Sequence, residues 1–361
     1  MAALALRDRD AIVTKEGLVF RVFGYTHPKN AYVCDVEYAP ASIFSSDNPK
    51  APRGHRQTTH YKLYEDEGWK HLETRYPQYL ITHEMLQKTV IGVSHRDIAE
   101  VRRPQEKLRE LLARPEKDEL LTATHNVLGL ITECSGLRLE DFGVFGSMLH
   151  GFHHPRLSDI DLTVYGREKV KRLCKGLREP YADASSPLRN EFETDEAIRG
   201  KRWRFRNLSP KEYAWHQQRK LIYALFTGRK GGRTTKAEFE PVKDWSEITN
   251  EYDPRVRILQ RGWVKLTARI TEDVDTPFIP SIYGVDPVRM ISGVKEAVEV
   301  QRIVSYMEEF RLQAFRDERV YVEGNLEEVA TPKGSTYQVA LTYCPRYYEQ
   351  VLKSLTYSSM F

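Results

Sequence analysis

Val144-Phe145-Gly146-Ser147, then eleven residues, then Asp159-Ile160-Asp161-Leu162: this stretch decides how the chain of 361 residues is read. Phe142, Val144 and Phe145 are β-formers that run into Gly146, and Ile160, Leu162, Val164 and Tyr165 make a second β-rich run. The pattern predicts a strand, a tight turn, a short helix and a second strand, with Pro155 barring a continuous helix between the strands. Side chains two apart on a strand share a face, so Asp159 and Asp161 project together while Ile160 and Leu162 enter the core. Like charges held so close repel, and a hard divalent cation, Mg²⁺ (or Mn²⁺), relieves the repulsion because it prefers carboxylate and phosphate oxygens. Two such ions about 3.5–4 Å apart can clamp the attacking and leaving oxygens of a displacement at phosphorus. Gly146 lets the backbone approach a triphosphate closely, and Ser147, opening the next helix, offers its hydroxyl and helix-start N–H groups.

Between Val144 and Leu162 these residues resemble the signature of the DNA polymerase beta-like nucleotidyltransferase superfamily, in which a Gly-Ser turn binds the triphosphate and an Asp-x-Asp/Glu pair binds metal. The resemblance implies an α+β fold with a polymerase beta-like core, a mixed sheet with helices on one face, flanked here by β-rich accessory regions. It also implies a third carboxylate on a strand beside the Asp pair. In Lys236-Ala237-Glu238-Phe239-Glu240-Pro241-Val242 both glutamates fall on one face. Glu238 is the expected one, since it sits inside the strand while Glu240 abuts Pro241. Glu departs from the Asp more common in the superfamily. The expected catalytic and metal-holding set is therefore Asp159, Asp161 and Glu238, with Gly146 and Ser147 on the nucleotide.

Apolar residues make up 40% of the chain and charged residues 29%, which fits a soluble globular protein and excludes a disordered one. No apolar run is long enough to span a bilayer, so no membrane partner is expected, and the N-terminal residues lack the pattern of a secretion signal. Cys34, Cys134, Cys174 and Cys344 have no Cys-x-x-Cys pairing, which argues against a zinc ribbon or a disulfide framework and fits a cytoplasmic location. The net charge of +4 is unevenly spread: residues 199–236 hold twelve Lys or Arg against the single acid Glu212.

Within that segment Lys201-Arg202-Trp203-Arg204-Phe205-Arg206 alternates cation and aromatic. On a strand this puts Arg202, Arg204 and Arg206 on one face, suited to phosphates and stacked bases. Ser209-Pro210-Lys211-Glu212 is a capping box, and the helix it opens is expected to run to about Gly228 and to carry Arg219 and Lys220. Arg229 and Lys230 lie in a basic loop beyond. All eight of these cations are expected to bind phosphate or nucleic acid. His150, His153 and His154 are expected to line the pocket or lie on the surface rather than ligate metal.

Elsewhere, 17–24 and 31–38 read as strands, 51–57 as a loop, and 104–134 as helices broken at Pro115. Residues 168–177 read as a crossover helix and 178–199 as a loop. In the C-terminal part, 262–270 reads as a strand, 286–315 as a helical region opened by Asp286-Pro287, and 319–324 with 336–343 as a hairpin-like pair. The segment 343–348 reads as packing aromatics before base-stacking ones. The expected domains are a β-rich accessory region at 1–98, the catalytic domain at 99–252 and an α/β accessory domain at 253–361 that joins the N-terminal region. The expected activity is transfer of a nucleoside monophosphate from an NTP or dNTP to a hydroxyl, with release of pyrophosphate. The expected acceptor is the 3′ end of DNA or RNA. The alternatives are nucleotidylation of a protein or small molecule, and a nucleic-acid-binding protein whose catalytic site has decayed.

Overall fold

The computed structural model describes residues 5–357 apart from 56–57, 116 and 229–232. The chain divides into two compact units, one of residues 1–83, 88–188 and 225–252, the other of 84–87, 189–224 and 253–361. Residues 1–83 and 88–98 thus share a unit with the Gly-Ser turn and the Asp pair, while most of the basic segment groups with 253–361.

The first unit contains an eight-stranded sheet whose order runs Pro52–His55, Thr58–Lys62, Ala31–Pro40, Val19–Val22, Ala11–Thr14, Ile98–Arg102, with Lys88–Ser94 and Leu80–His83 joined to it off Ala31–Pro40. Part of the loop expected at 51–57 is therefore strand: Pro52–His55 pairs antiparallel with Thr58–Lys62. Ala11–Thr14 and Val19–Val22, in the middle of this sheet, are largely buried on both faces, whereas Lys88–Ser94 and Ile98–Arg102 are partly exposed. Ile12, Phe20, Val22 and Val36 form one core with Leu72 of the helix Glu67–Arg75. Ala11, Val13, Val19 and Tyr38 pack instead on Leu149 and Phe152, just beyond the Gly-Ser turn.

The second sheet carries the Asp pair. Its order is Leu188–Asn190, Tyr223–Thr227, Thr234–Val242, Ile160–Tyr165, Phe142–Val144. Ile160–Tyr165 runs parallel to Thr234–Val242 and antiparallel to Phe142–Val144, so the sheet is mixed. The expected helices form at Pro104–Leu112, Glu119–Ser135 and Arg167–Gly176. The first lies so close that a Cβ on Gly143 would come within 2.7 Å of Pro104 Cβ, so only glycine fits that strand position. The helix opened by the Ser209 capping box forms, with Ser209 Oγ accepting from Glu212 N–H at 3.2 Å. It stops at Lys220 rather than near Gly228, because Leu221 takes a left-handed conformation and the β-forming run beyond it becomes the strand Tyr223–Thr227.

The N-terminal peptide Arg7-Asp8-Arg9-Asp10 is buried in this unit despite its four charges. Arg9 Nε donates to Glu240 Oε1 at 2.9 Å, and both side chains are 1% exposed. Asp8 Oδ1 accepts from Gly24 N–H at 2.8 Å, and the Arg7 guanidinium lies 3.6 Å from the centre of the Tyr165 ring. Burial pushes the Asp10 carboxyl up to about 6, against the pull of Arg7 and Arg103. Each buried charge here has a hydrogen-bonding or ionic partner, as burial in a low-dielectric interior requires.

In the second unit Arg257–Asp275 pairs with Ser281–Ser292 on one edge and Arg319–Thr331 on the other. Ser281–Ser292 pairs with Val300–Ser305, which runs parallel to Gly334–Leu341, and Gly334–Leu341 pairs back to Arg319–Thr331. Five strands close into a barrel, the first four in the spatial order of a Greek key, and Val351–Ser354 adds to Arg319–Thr331. Leu266, Ile270, Tyr283, Ile303, Val322 and Val339 belong to its core. The strand expected at 262–270 and the pair 319–324 with 336–343 are present. The helical region expected over 286–315 is not: its apolar run at Val285, Val288 and Met290 is strand. Pro287 sits opposite a register shift between Ala268 and Ile270, in a bulge where no ladder N–H is needed. The N- and C-terminal strands lie in different sheets and different units, so they do not share one β-rich domain.

Arg9→Ala strands the buried Glu240 carboxylate and is expected to cost about 3–5 kcal/mol, read as a lower midpoint in denaturant unfolding. Arg9→Met combined with Glu240→Leu, which removes both charges, is expected to recover most of that loss.

Candidate functional site

Gly146 opens the short helix Gly146–Leu149 at φ +60°, and a Cβ there would lie 2.4 Å from Asp161 Oδ2. The turn therefore needs glycine for its backbone angle and for its contact with the Asp161 carboxylate. Phe145 N–H donates to the Asp161 carbonyl at 3.0 Å, which fixes the turn to the strand. Ser147 is half-buried beside it, and its carbonyl accepts from Phe152 N–H at 2.8 Å.

Asp159 is exposed and immediately precedes the strand Ile160–Tyr165, and Asp161 is half-buried within it. In the parallel ladder Asp161 stands opposite Glu238, which is also half-buried. Glu240, two residues on, is engaged by Arg9 in the interior. Burial, then the charge of Asp159, pushes the Asp161 carboxyl up to about 7; Lys62 opposes this, and Glu240 and Glu37 add to it. A carboxylate crowded by other carboxylates is one that a cation would stabilise. Among the described residues no three His, Cys, Asp or Glu side chains already form a metal-holding group. The residues present nonetheless fit Mg²⁺, which is commonly held by one or two carboxylates with phosphate oxygens and water completing its shell.

The first sheet supplies neighbours that no sequence pattern announced. Tyr38, paired with Lys62 across adjacent strands, lies 5.3 Å ring to ring from both His150 and Phe152. His60 sits 4.5 Å from Phe152. His150 is buried, its Nδ1 is 3.2 Å from Arg102 Nη1, and desolvation pushes its pKa down. His153 pairs with Asp118 at 3.0 Å, and His154 lies on the surface. Arg233 Nη2 donates to the Ser158 carbonyl at 2.9 Å and so holds the backbone just before Asp159.

The basic segment divides. Lys201, Arg202, Arg204 and Arg206 are exposed, but on irregular chain rather than a strand; Trp203 and Phe205 turn inward onto the second unit's core. The alternation of faces is the expected one, while the strand is absent because 201–206 finds no ladder partner. Two expectations are corrected. Lys220 is 1% exposed and its Nζ donates to the Glu309 carbonyl at 2.6 Å. Arg219 is ion-paired with Glu318 and lies 4.2 Å over the Trp215 ring. Both are committed to packing within the second unit. Arg229 and Lys230 lie outside the described residues.

Two consequences are measurable. Because Asp161 binds its proton more tightly folded than unfolded, its contribution to stability falls as pH rises from about 4 to about 7. Asp161→Asn is expected to raise the Tm of the metal-free protein by a few degrees at pH 8 and to leave it nearly unchanged at pH 4, by calorimetry. Gly146→Ala is expected to cut nucleotidyl transfer by about 10²-fold or more, by displacing Asp161, with far-UV circular dichroism unchanged.

Residues 130–254 match the family model described as a nucleotidyltransferase domain. Over 341 residues, 93% of this chain and 94% of the relative, the protein is 26% identical to the uncharacterized protein MJ1086 of Methanocaldococcus jannaschii. No solved structure gives a significant match. No helix among the described residues is long and apolar enough to cross a membrane. The matched segment contains the Gly-Ser turn, both aspartates and Glu238. Residues 130–254 are therefore a nucleotidyltransferase domain of the DNA polymerase beta-like superfamily, and that domain supports a nucleotidyl transfer activity.

Proposed function

We propose that the protein transfers a nucleoside monophosphate from an NTP or dNTP to the 3′ hydroxyl of a nucleic acid. The observation that carries this reading is the register that sets Asp161 opposite Glu238, beside a turn at Gly146 that tolerates no side chain. Gly146 and Ser147 receive the β- and γ-phosphates on backbone N–H groups and the Ser147 hydroxyl. Asp159, Asp161 and Glu238 are the residues that would hold Mg²⁺ or Mn²⁺, which when bound lowers the charge barrier at the phosphates. Glu238 accepts the proton of the attacking hydroxyl. The new bond joins that oxygen to the α-phosphorus, the bond from the α-phosphorus to the bridging oxygen of the β-phosphate breaks, and pyrophosphate leaves. The exposed cations Lys201, Arg202, Arg204 and Arg206 support a polyanionic acceptor, since a triphosphate alone needs fewer.

The test is to incubate the protein with Mg²⁺ or Mn²⁺, each labelled NTP and dNTP, and single-stranded, primed or tRNA-like oligonucleotides, and to resolve the 3′ ends on a gel. Extension is expected, with Asp159→Ala or Asp161→Ala lowering it by at least about 10²–10³-fold and Glu238→Gln also lowering it. Label on protein or a small molecule instead would move the acceptor elsewhere. Full activity in either Asp variant would sink the assignment of the pair.

A further inference from the structure

We propose that the loops 201–206 and 343–348 of the second unit together form a platform for single-stranded nucleic acid, on which unpaired bases stack. The purpose of the platform rests on the acceptor reading above, but its binding is separable from catalysis. The two loops are fastened to each other: Arg206 N–H donates to the Tyr348 carbonyl at 2.9 Å, and the Phe205 and Tyr348 rings meet edge to face at 5.3 Å. Trp203 anchors the first loop, its Nε1 donating to the Leu208 carbonyl at 2.7 Å. Tyr347 anchors the second, its hydroxyl 2.8 Å from Glu309. Such anchoring fixes the surface before a ligand arrives, which lowers the ordering cost of binding.

The surface offers planes as well as charge. The Arg204 guanidinium lies 4.1 Å over the Tyr348 ring, and that of Arg346 lies 3.6 Å over the Trp263 ring. Trp263 is itself held by the hydrogen bond from its Nε1 to Glu323 at 2.9 Å. Tyr343, 56% exposed, is stacked on Tyr347 with ring centres 5.5 Å apart. Guanidinium and phenol planes of this kind accept the faces of unpaired bases, and each stacked base contributes substantially to affinity. Lys201 and Arg202 add exposed positive charge, while Glu349 is ion-paired with Arg206 and Arg346. Beside the loops runs a groove of about 520 Å³ whose lining includes Phe205, Arg206, Tyr321 and the ion pair of Lys353 with Glu212. Cations alone would suit a duplex or any polyanion, but the exposed planes favour single strands, because a duplex hides its base faces. The supporting scaffold, a five-stranded Greek-key barrel, is an architecture that elsewhere carries oligonucleotides on its outer surface.

The experiment is fluorescence anisotropy of the full chain without NTP, using labelled single-stranded ribo- and deoxyoligonucleotides and the matching duplexes over a range of salt. Single strands are expected to bind more tightly than duplexes. Tyr343→Ala is expected to weaken single-strand binding by roughly 5- to 150-fold. Arg204→Ala with Arg346→Ala is expected to flatten the salt dependence, by about 0.7 in slope for each phosphate no longer neutralised. Thermal unfolding of the variants checks that the barrel is intact. Equal affinity for duplex and single strand, or wild-type binding by both variants, overturns the platform. If the wild type still extends 3′ ends in that case, the acceptor reading stands without it. If no oligonucleotide is bound or extended, both readings fall.

Discussion

The repulsion among Asp159, Asp161 and the nearby Glu37 and Glu240 is the constraint around which the first unit is arranged. Carboxylates do not gather beside a buried strand without something to hold them there. One of them, Glu240, is neutralised permanently by Arg9. Asp159 and Asp161 lie instead by the Gly-Ser turn, where a bound cation would stabilise them. That division separates an acid held in an internal ion pair from the acids proposed to hold the metal, although Glu238 and Glu240 share a face of one strand.

The same constraint explains the position of the N-terminal strands. By packing Tyr38 and its neighbours on Leu149 and Phe152, the first sheet covers the segment that follows the Gly-Ser turn and brings Lys62 into electrostatic range of Asp161. These strands belong to the same unit as the Gly-Ser turn and the Asp pair.

What was legible in the sequence was local. A glycine between β-formers, two aspartates at alternate positions and a Ser-x-x-Glu box each state their geometry within a few residues, and the turn and helix start formed as read, while the strand begins one residue after Asp159 and holds only Asp161. Partners distant in sequence were not legible. Lys220 reads as one more cation in a basic run, and only the fold brings the Glu309 carbonyl to it. Asp286-Pro287 has the spelling of a helix start, yet strand pairing on both sides of 281–292 outweighed that local preference and left the proline in a bulge. The alternation of cation and aromatic at 201–206 gave the right faces without the strand, because exposure depends on which side meets the core rather than on hydrogen bonding. The partition of the chain into units was hidden for a related reason: it depends on packing between segments that no local pattern links.

The pairing of Arg9 with Glu240 also bears on how the protein is made. The two residues are 231 positions apart, so the peptide around Arg9 acquires its partner only after the intervening chain has been made. At about 5–20 residues per second that interval is roughly 10–50 s. During it the first strands can pair with one another, but Arg9 lacks the Glu240 carboxylate that it binds in the folded protein. The catalytic unit therefore closes late in synthesis, and the nascent chain spends that interval with the carboxylate site unassembled.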